Sequence, residues 1–280
     1  MQTIIARNLL NLKKNLNNVR KKKNIGLVPT MGCIHEGHLA LVKKCKRLKY
    51  FTVVTIFVNP TQFNNQNDFK KYPSQEKKDL KILKKYDVDL VFIPKIHQIY
   101  PLGYSTYVKE FNSSNILCGK KRKNHFSGVL TIVLKLFLIV KPNVAFFGEK
   151  DFQQLFLIKR MVKDFNLEIK IISISTVREP NGLALSSRNK LLNGQELQSA
   201  QKIYSRLKKI RYLDYKYVKD LEHDLKKELK KSGLNNIEYL EVRESISLKR
   251  PSMLQKRKGL RVFVAIYLGN VRLIDNYKLN

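Results

Sequence analysis

Apolar and polar residues alternate along the first half of the chain in two distinct patterns. Short apolar runs rich in β-branched residues predict buried strands, and longer stretches with apolar residues at helical spacing predict amphipathic helices. Strands are predicted over residues 26–29, 51–58, 88–93, 143–147 and 169–176. Strands that alternate with helices are typical of a parallel sheet with helices on both faces. We therefore predict an α/β fold with a Rossmann-like parallel sheet.

The helices between these strands are predicted from the residues that would face the core. The stretch 75–86 is a lysine-rich amphipathic helix, and 126–141 is apolar on almost all sides, which indicates a central, buried helix. Residues 59–74 form a polar loop. Two further helices each have one apolar face, made of Ile34, His38, Leu41, Cys45 and Leu48 in the first and of Leu155, Ile158, Val162 and Phe165 in the second.

The pattern changes after residue 176. A loop rich in Gly, Pro, Ser and Asn is followed by two strongly charged helices, predicted over 194–210 and 216–231. Strands are predicted over 237–243, 260–268 and 271–274, and the Gly269-Asn270 pair between the last two is a hairpin signal. We therefore predict two domains, a Rossmann-like domain over 1–176 and a smaller C-terminal α/β domain over 177–280.

Two histidines occur where the first predicted strand gives way to a helix. If His35 and His38 both lie on the helix, they are about 60° apart around its axis and about 4.5 Å apart along it. A helix N-terminus presents unpaired N–H groups and favours an anion, and Gly32 and Gly37 leave the backbone open to phosphates. The pattern predicts a triphosphate site, with a purely structural role for the histidines left open. Zinc is less favoured, because the metalloprotease signature spaces its histidines at i and i+4.

Two further polar clusters follow predicted strands of the first domain. Asn59 and Gln62 offer neutral amides that suit a small molecule with hydroxyl or carboxylate groups, although an ordinary Asn-Pro turn is the alternative. Lys150 can neutralise phosphate charge, and the adjacent Asp151 could simply cap a helix. Open parallel sheets bind ligands at the carboxyl ends of their strands, which is where both clusters lie.

A fourth cluster, Ser186, Ser187 and Arg188, lies in the second predicted domain and offers hydroxyls and a guanidinium to phosphates. Overall charge also favours anionic ligands, since 55 Lys+Arg against 22 Asp+Glu gives +33. The excess is mostly lysine and is scattered, without interleaved aromatic residues. We interpret it chiefly as codon bias with solvated helix faces, and a functional basic surface is the alternative.

The cysteines and the apolar runs bear on where the protein resides. Cys33, Cys45 and Cys118 are odd in number and lack metal-site spacing, which fits a reducing compartment. Residues 1–7 lack the apolar core of a signal peptide. The longest apolar run, 129–140, contains Lys135 and is about half as long as a membrane span. We expect a soluble cytoplasmic protein that does not enter a membrane.

Four motifs occur in an order that resembles one enzyme family. The chain contains PTMGxxHEGH (29–38), IFVNPxQF (56–63), FGEKDxQQ (147–154) and TVRExxGLALSSRN (176–189). These motifs are similar to those of the pantothenate synthetase, or pantoate–β-alanine ligase, family. Residues 68–73, 117–119 and 125–129 add to the resemblance, which covers essentially all of 20–190 and, more loosely, the remainder.

The resemblance implies an ATP-dependent condensation of (R)-pantoate with β-alanine through a pantoyl adenylate, with release of AMP and pyrophosphate. It assigns His38 as proton donor, and His35, Lys150 and Arg188 have the charge to stabilise phosphates, so we expect these four residues to act on one triphosphate. Gln62 and Gln154 are the implied pantoate contacts, and Gln62 is also near β-alanine. From its amide and its position after a strand, Asn59 is a further predicted substrate contact. The implied ATP contacts are Met31, Gly32, Cys33, Ile34, His35, Glu36, Gly37, His38, Gly148, Glu149, Lys150, Asp151, Val177, Leu185, Ser186, Ser187 and Arg188.

Magnesium is expected with the ATP, held mainly by its phosphates, with Asp79 as the candidate protein ligand. The family also implies a homodimer. Two alternatives remain open. One is an HxGH nucleotidylyltransferase of the same superfamily, against which the amide pair and the 186–189 loop argue. The other is a basic RNA-binding module, which predicts binding that falls steeply with salt.

Overall fold

The computed structural model describes residues 2–65, 69–70, 72–254 and 259–279. Asp68 and Lys71, part of the family-like segment 68–73, lie outside the described residues. The chain forms two compact units. The first contains Met1–Glu149 and Gln154–Ser175, and the second contains Lys150–Gln153 and Thr176–Asn280. The short segment Lys150–Gln153 therefore belongs with the C-terminal part of the chain.

The first unit is built on a parallel sheet, which confirms the predicted α/β architecture. Its strands are β1 (Ile4–Ala6), β2 (Ile25–Thr30), β3 (Phe51–Ile56), β4 (Leu90–Phe92), β5 (Val144–Gly148) and β6 (Lys170–Ile174), in the order β1-β4-β3-β2-β5-β6. The chain winds in one direction from β2 to β3 and β4, and in the other direction through β5 and β6. The strand order thus reverses between β2 and β5, and such a reversal is where parallel sheets bind ligands.

Helices follow most of these strands. They are α1 (Leu9–Arg20), α2 (Glu36–Arg47), α3 (Glu76–Lys85), α4 (Ile96–Ile99), α5 (Cys118–Lys121), α6 (His125–Val140) and α7 (Phe152–Asp164). Helix α6 is the most apolar of them and is buried along most of its length, as predicted. Across the described residues, no helix combines the length and the apolarity needed to cross a membrane.

The N-terminal strand and helix were not predicted. Strand β1 has three residues, too few for a periodic pattern, and it is recognised only through its pairing with β4. Helix α1 buries Leu12 and Leu16, but the adjacent Leu10 is exposed and obscures the apolar face. The prediction that two further residues face the core was wrong, for a reason that they share. Leu48 and Phe165 both fall just past a helix end and are exposed.

The described residues of the second unit include a three-stranded antiparallel sheet and two α-helices. The elements are α8 (Gly194–Lys209), α9 (Val218–Lys231), β7 (Asn236–Glu244), β8 (Leu260–Leu268) and β9 (Val271–Lys278), with strand order β7-β8-β9. The predicted hairpin between β8 and β9 is confirmed, and Gly269 takes the left-handed conformation (φ +52) that the turn requires. Strand β9 continues past its predicted end at Ile274 and buries Asp275 and Asn276.

Candidate active site

His35 ends the turn after β2 and caps helix α2. Its backbone is extended (φ −138), and its ring Nδ1 accepts the N–H of Gly37 at 3.1 Å. Helix α2 therefore begins at Glu36, and the prediction that both histidines lie on the helix was wrong, because the imidazole serves as the N-cap. The two rings nevertheless come together, with centroids 4.1 Å apart. The helix N-terminus thus carries an adjacent pair of imidazoles.

Gly37 is required by this arrangement. A Cβ atom at this position would lie 2.8 Å from Cε1 and 2.9 Å from Nδ1 of His35. Such distances are shorter than van der Waals contact, so any side chain here would displace the imidazole that caps the helix. The glycine thus makes room for the protein's own histidine, whereas the sequence pattern had indicated room for phosphates.

The turn before His35 is shaped by Asp79. Its carboxylate is buried and accepts the backbone N–H groups of Cys33 and Ile34, each at 2.8 Å. The turn needs such support because Gly32 (φ +87) and Cys33 (φ +52) are both left-handed. The Gln75 amide donates a third hydrogen bond to Oδ1 of Asp79 at 3.2 Å. Both carboxylate oxygens are thus engaged by N–H donors, a geometry that suits a turn anchor better than a metal ligand.

Asn59 is almost wholly buried at the end of β3, and its amide is saturated by protein partners. Its Oδ1 accepts from the Tyr100 hydroxyl at 2.8 Å and from Thr61 at 3.0 Å. Its Nδ2 donates to Oε1 of Gln62 and to the Gly128 carbonyl, both at 3.1 Å. Burial raises the pKa of Tyr100 to about 12, so the hydroxyl keeps its proton and remains a donor. These contacts fix the orientation of the Gln62 amide.

Gln62 directs its own N–H group to a weak acceptor. With Oε1 bound by Asn59, its Nε2 faces the thioether sulfur of Met31 at 2.8 Å. A thioether accepts hydrogen bonds poorly, so a carboxylate or hydroxyl oxygen could replace it with a gain in free energy. Met31 and Gln62, which were assigned separately to ATP and to pantoate, therefore form one small polar position beside the histidine turn.

His125 supports the 59–62 turn and was not predicted as a functional residue. Its Nδ1 lies 2.8 Å from the Gln62 carbonyl, which can only accept, so Nδ1 carries the proton. Nε2 faces the Arg122 guanidinium at 3.1 Å and accepts from it. Helix α6 approaches so closely that a Cβ on Gly128 would lie 2.3 Å from the Thr61 carbonyl oxygen. The sequence signal that could have pointed to this role was a histidine at the start of an otherwise apolar helix.

In the second unit, one pocket is lined by three of the residues that were predicted to bind phosphate. Lys150, Ser186 and Arg188 line it together with Asn189. The Lys150 side chain is 20% exposed, and its ammonium lies 3.8 Å from the Asp151 carboxylate. Among the described residues, no hydrogen-bond or ion-pair partner is found for the Arg188 guanidinium. This pocket therefore presents positive charge that an anionic ligand could bind.

The remaining predicted residues occur in both units. Glu36 is exposed and pairs with Lys43 at 3.2 Å, so its carboxylate points into solvent. Gly148 ends β5, Glu149 begins a short 3₁₀ helix, and Gln154 is half-buried near the start of α7. Leu185 donates its backbone N–H to the Val177 carbonyl at 3.0 Å. Ser187 begins a 3₁₀ helix capped by Ser186.

A Rossmann-like sheet whose order reverses beside a helix N-terminus with two histidines defines a nucleotide-binding α/β protein. Comparison with known proteins narrows this class. The family model described as Pantoate-beta-alanine ligase matches residues 4–278. The chain belongs to the pantoate–β-alanine ligase family, and it is a ligase.

Individual relatives agree over nearly the whole chain. It is 45% identical to the pantothenate synthetase of Thermosipho africanus, over 92% of this chain and 93% of that protein. The structure is similar to that of pantothenate synthetase from Thermus thermophilus, with a TM-score of 0.91, 36% identity and 99% of each chain covered. It is also similar to pantoate-beta-alanine ligase from Francisella tularensis in complex with beta-gamma ATP and β-alanine, with a TM-score of 0.83, 42% identity, and 99% of this chain and 97% of that chain covered. The predicted family resemblance and fold are thereby confirmed.

Proposed function

We propose that the chain condenses (R)-pantoate with β-alanine to pantothenate at the expense of ATP, through a pantoyl adenylate. The observation that carries this proposal is the adjacent His35–His38 pair at the N-terminus of α2, together with the Met31–Gln62 position. The first feature suits a triphosphate, and the second suits a small hydroxy acid. Family membership supports the assignment, and the Francisella tularensis relative was crystallised with beta-gamma ATP and β-alanine.

In the first step, a pantoate carboxylate oxygen attacks the α-phosphorus of ATP, and the bond to the β-phosphate bridging oxygen breaks. Carboxylate and triphosphate repel each other, and the departing pyrophosphate gains negative charge, so fixed positive groups must stabilise both. We assign His38 as the proton donor, with His35 and the α2 N-terminus beside it. In the second unit, we assign Lys150, Ser186 and Arg188, which line one pocket, to bind phosphate groups of ATP.

Pantoate is held, in this proposal, by the amides of Gln62 and Gln154. The Gln62 N–H that faces the Met31 sulfur is positioned to bind a pantoate oxygen in its place. Asn59 was predicted to contact the substrate. Its four hydrogen bonds to protein groups instead favour an indirect role, in which it orients Gln62.

In the second step, the β-alanine amine attacks the acyl carbon of the adenylate. The C–N bond forms, the acyl–oxygen bond breaks, AMP leaves with the electron pair, and the nitrogen loses a proton. The adenylate is the activated species, so no side chain needs to form a covalent intermediate. Holding the two reactants together supplies much of the rate enhancement.

Magnesium enters the proposal with the nucleotide. Among the described residues, no group of three His, Cys, Asp or Glu side chains is arranged to hold a metal. The oxygens of Asp79 are engaged by the backbone of residues 33 and 34. We propose that the metal is carried mainly by the ATP phosphates, where it would neutralise charge.

The decisive experiment is to measure pyrophosphate release with ATP alone, with ATP and pantoate, and with all three substrates. Release should depend on pantoate, and AMP should accumulate at a useful rate only when β-alanine is also present. Pyrophosphate release without pantoate, but with a nucleotide as co-substrate, would favour the nucleotidylyltransferase alternative. Tight oligonucleotide binding with a steep salt dependence would favour the RNA-binding alternative.

We also propose that the protein is a cytoplasmic homodimer formed through the first unit. Leu102, Tyr107 and Phe111 are exposed large apolar residues within one segment that contains a turn at Leu102 and no assigned strand. Val108 ties this segment to α6, donating to Thr131 at 2.9 Å and accepting from Ser127 at 2.8 Å. Exposed apolar side chains that lie close together in sequence can pack against the same side chains in a second copy. Sedimentation of Phe111→Glu beside the unmodified protein tests this, since only the variant should be monomeric.

A further inference from the structure

A buried ion pair joins Arg178, in the loop that precedes Ser186, to Asp275 in strand β9. Each terminal nitrogen of the Arg178 guanidinium donates a hydrogen bond to the Asp275 carboxylate, at 2.7 and 2.8 Å. The side chains are 14% and 5% exposed, and the guanidinium stacks on Tyr204 at 3.8 Å from the ring centroid. Buried ion pairs add little to stability compared with apolar packing of the same shape. The fixed, two-pronged geometry therefore points to a positioning role.

Arg178 also holds the shape of the loop that leads to Ser186. It donates to the Gly182 carbonyl at 3.1 Å, and its backbone forms an isolated antiparallel bridge with Ala184. Gly182 is left-handed (φ +93), and a Cβ on it would lie 2.8 Å from the Tyr204 ring. These contacts hold residues 178–184 in a short hairpin, and Asp275 holds the Arg178 side chain in place.

The next residue of β9 fastens Lys150. The Asn276 side chain donates from Nδ2 to the Lys150 carbonyl at 2.9 Å, and its Oδ1 accepts from Arg261. Arg261 in turn lies over the Phe152 ring at 4.1 Å from its centroid. Asn276 is 3% exposed. Two consecutive polar residues of β9, Asp275 and Asn276, are therefore buried. Asp275 contacts the loop that leads to Ser186, and Asn276 contacts the backbone of Lys150.

We propose that Asp275 and Asn276 are positioning residues that set the distance between Lys150 and the Ser186–Arg188 loop for one triphosphate. The inference rests on the function proposed above, in which Lys150 and Arg188 bind the ATP phosphates. Displacement of a substrate-binding group by about 1 Å can cost on the order of 100-fold in rate. One strand that anchors both segments keeps their separation constant.

The sharpest variant is Asn276→Asp. The new side chain has the same shape and retains an acceptor for Arg261, but it places an oxygen against the Lys150 carbonyl where an N–H had donated. We expect kcat/KM for ATP in pantoate-dependent pyrophosphate release to fall by about 10- to 100-fold. The KM values for pantoate and β-alanine should stay within about twofold. Asn236→Asp is the matched control, because Asn236 is an exposed residue of β7.

A double-mutant cycle separates positioning from general damage. If Asn276 acts through Lys150, then Asn276→Asp should cost little further activity in the Lys150→Ala background. Additive losses, or a pantoate KM that rises with the ATP KM, would overturn the proposal. If Asn276→Asp unfolds the second unit, Asn276→Ala replaces it, since that change removes the donor without adding a repulsive oxygen.

The same experiment distinguishes failure of the inference from failure of the proposed function. If Lys150→Ala is strongly impaired while Asn276→Asp and Arg178→Lys are fully active, the positioning role is wrong and the phosphate-binding role of Lys150 stands. If Lys150→Ala is itself fully active, the assignment of Lys150 to the phosphates is wrong, and the positioning proposal falls with it.

Discussion

The imidazole of His35 lies against that of His38 with a centroid separation of 4.1 Å, although only His38 is part of helix α2. His35 reaches this position by capping the helix, with its Nδ1 bound to the backbone N–H of Gly37. Nδ1 accepts in this bond, so it carries no proton, and the Nε2 side of the ring is the side that can donate to a ligand. The cap thus fixes the orientation of the His35 imidazole, and in the proposed site its Nε2 edge would face a phosphate.

Gly37→Ala tests this arrangement. The added methyl group would occupy the space of the His35 ring, so we expect the ring to move and activity to fall on the order of 10- to 100-fold. Steady-state pyrophosphate release and thermal melting measure the two effects. Gly194→Ala is the matched control, since Gly194 begins α8 with open space around its Cβ position. Full activity in Gly37→Ala would show that the cap is dispensable.

His38→Ala should lower the rate of adenylate formation far more than it lowers stability. A general acid typically contributes about 10²- to 10⁴-fold to a rate, and this half-buried ring is not among the fully buried core residues. Single-turnover formation of AMP-linked pantoate, in the absence of β-alanine, isolates the step. A folded variant with unchanged single-turnover rate would remove His38 from the mechanism.

Asp79→Asn distinguishes a turn anchor from a metal ligand. The amide keeps one acceptor oxygen and puts an NH₂ against a backbone N–H, so the turn at residues 33 and 34 loses a charge-assisted hydrogen bond. We expect the free energy of unfolding to fall by about 1.5–3 kcal/mol and the ATP KM to rise. The magnesium concentration at half-maximal rate should not change. A large increase in that concentration, with stability intact, would instead identify Asp79 as a metal ligand.

The sequence allowed the parallel sheet, the central helix and the hairpin to be predicted because each depends on a local pattern. Helix α6 is apolar on nearly all sides, and β8 and β9 flank a Gly-Asn turn. What could not be predicted depends on contacts between distant segments. Strand β1 needs β4 beside it, and Asp275 and Asn276 resemble the polar end of a strand until Arg178 and Lys150 are placed against them.

The candidate site shows the same division. The histidine turn, the amide pair and the serine–arginine loop follow from residue types in short motifs. The roles of Asn59 and Asp79 do not, because an amide or carboxylate in a sequence gives no sign of whether its atoms are already bound. Both side chains are buried with their polar atoms bound by protein groups, which favours roles as supports for Gln62 and for the turn before His35.

Tyr100→Phe tests the support for Gln62 in two ways. Loss of the hydroxyl leaves one fewer donor on Asn59, so the Gln62 amide is held less firmly, and we expect the pantoate KM to rise about threefold to tenfold while kcat changes less. The hydroxyl also predicts a pH dependence. Burial raises its pKa from 10 to about 12, so the folded state retains a proton that the unfolded state loses.

The sign of that dependence follows from linkage. Stabilisation by a group whose pKa is raised on folding is complete below its unfolded pKa and is lost as the pH rises through the folded value, here between about 10 and 12. Urea unfolding of the unmodified protein should therefore show stability falling across this range, and Tyr100→Phe should fall less steeply. Tyr217→Phe, at an exposed tyrosine of the second unit, is the control. Parallel curves for the unmodified protein and Tyr100→Phe would show that folding does not raise the pKa of Tyr100. An unchanged pantoate KM in Tyr100→Phe would show that the Tyr100–Asn59 hydrogen bond does not contribute to substrate binding.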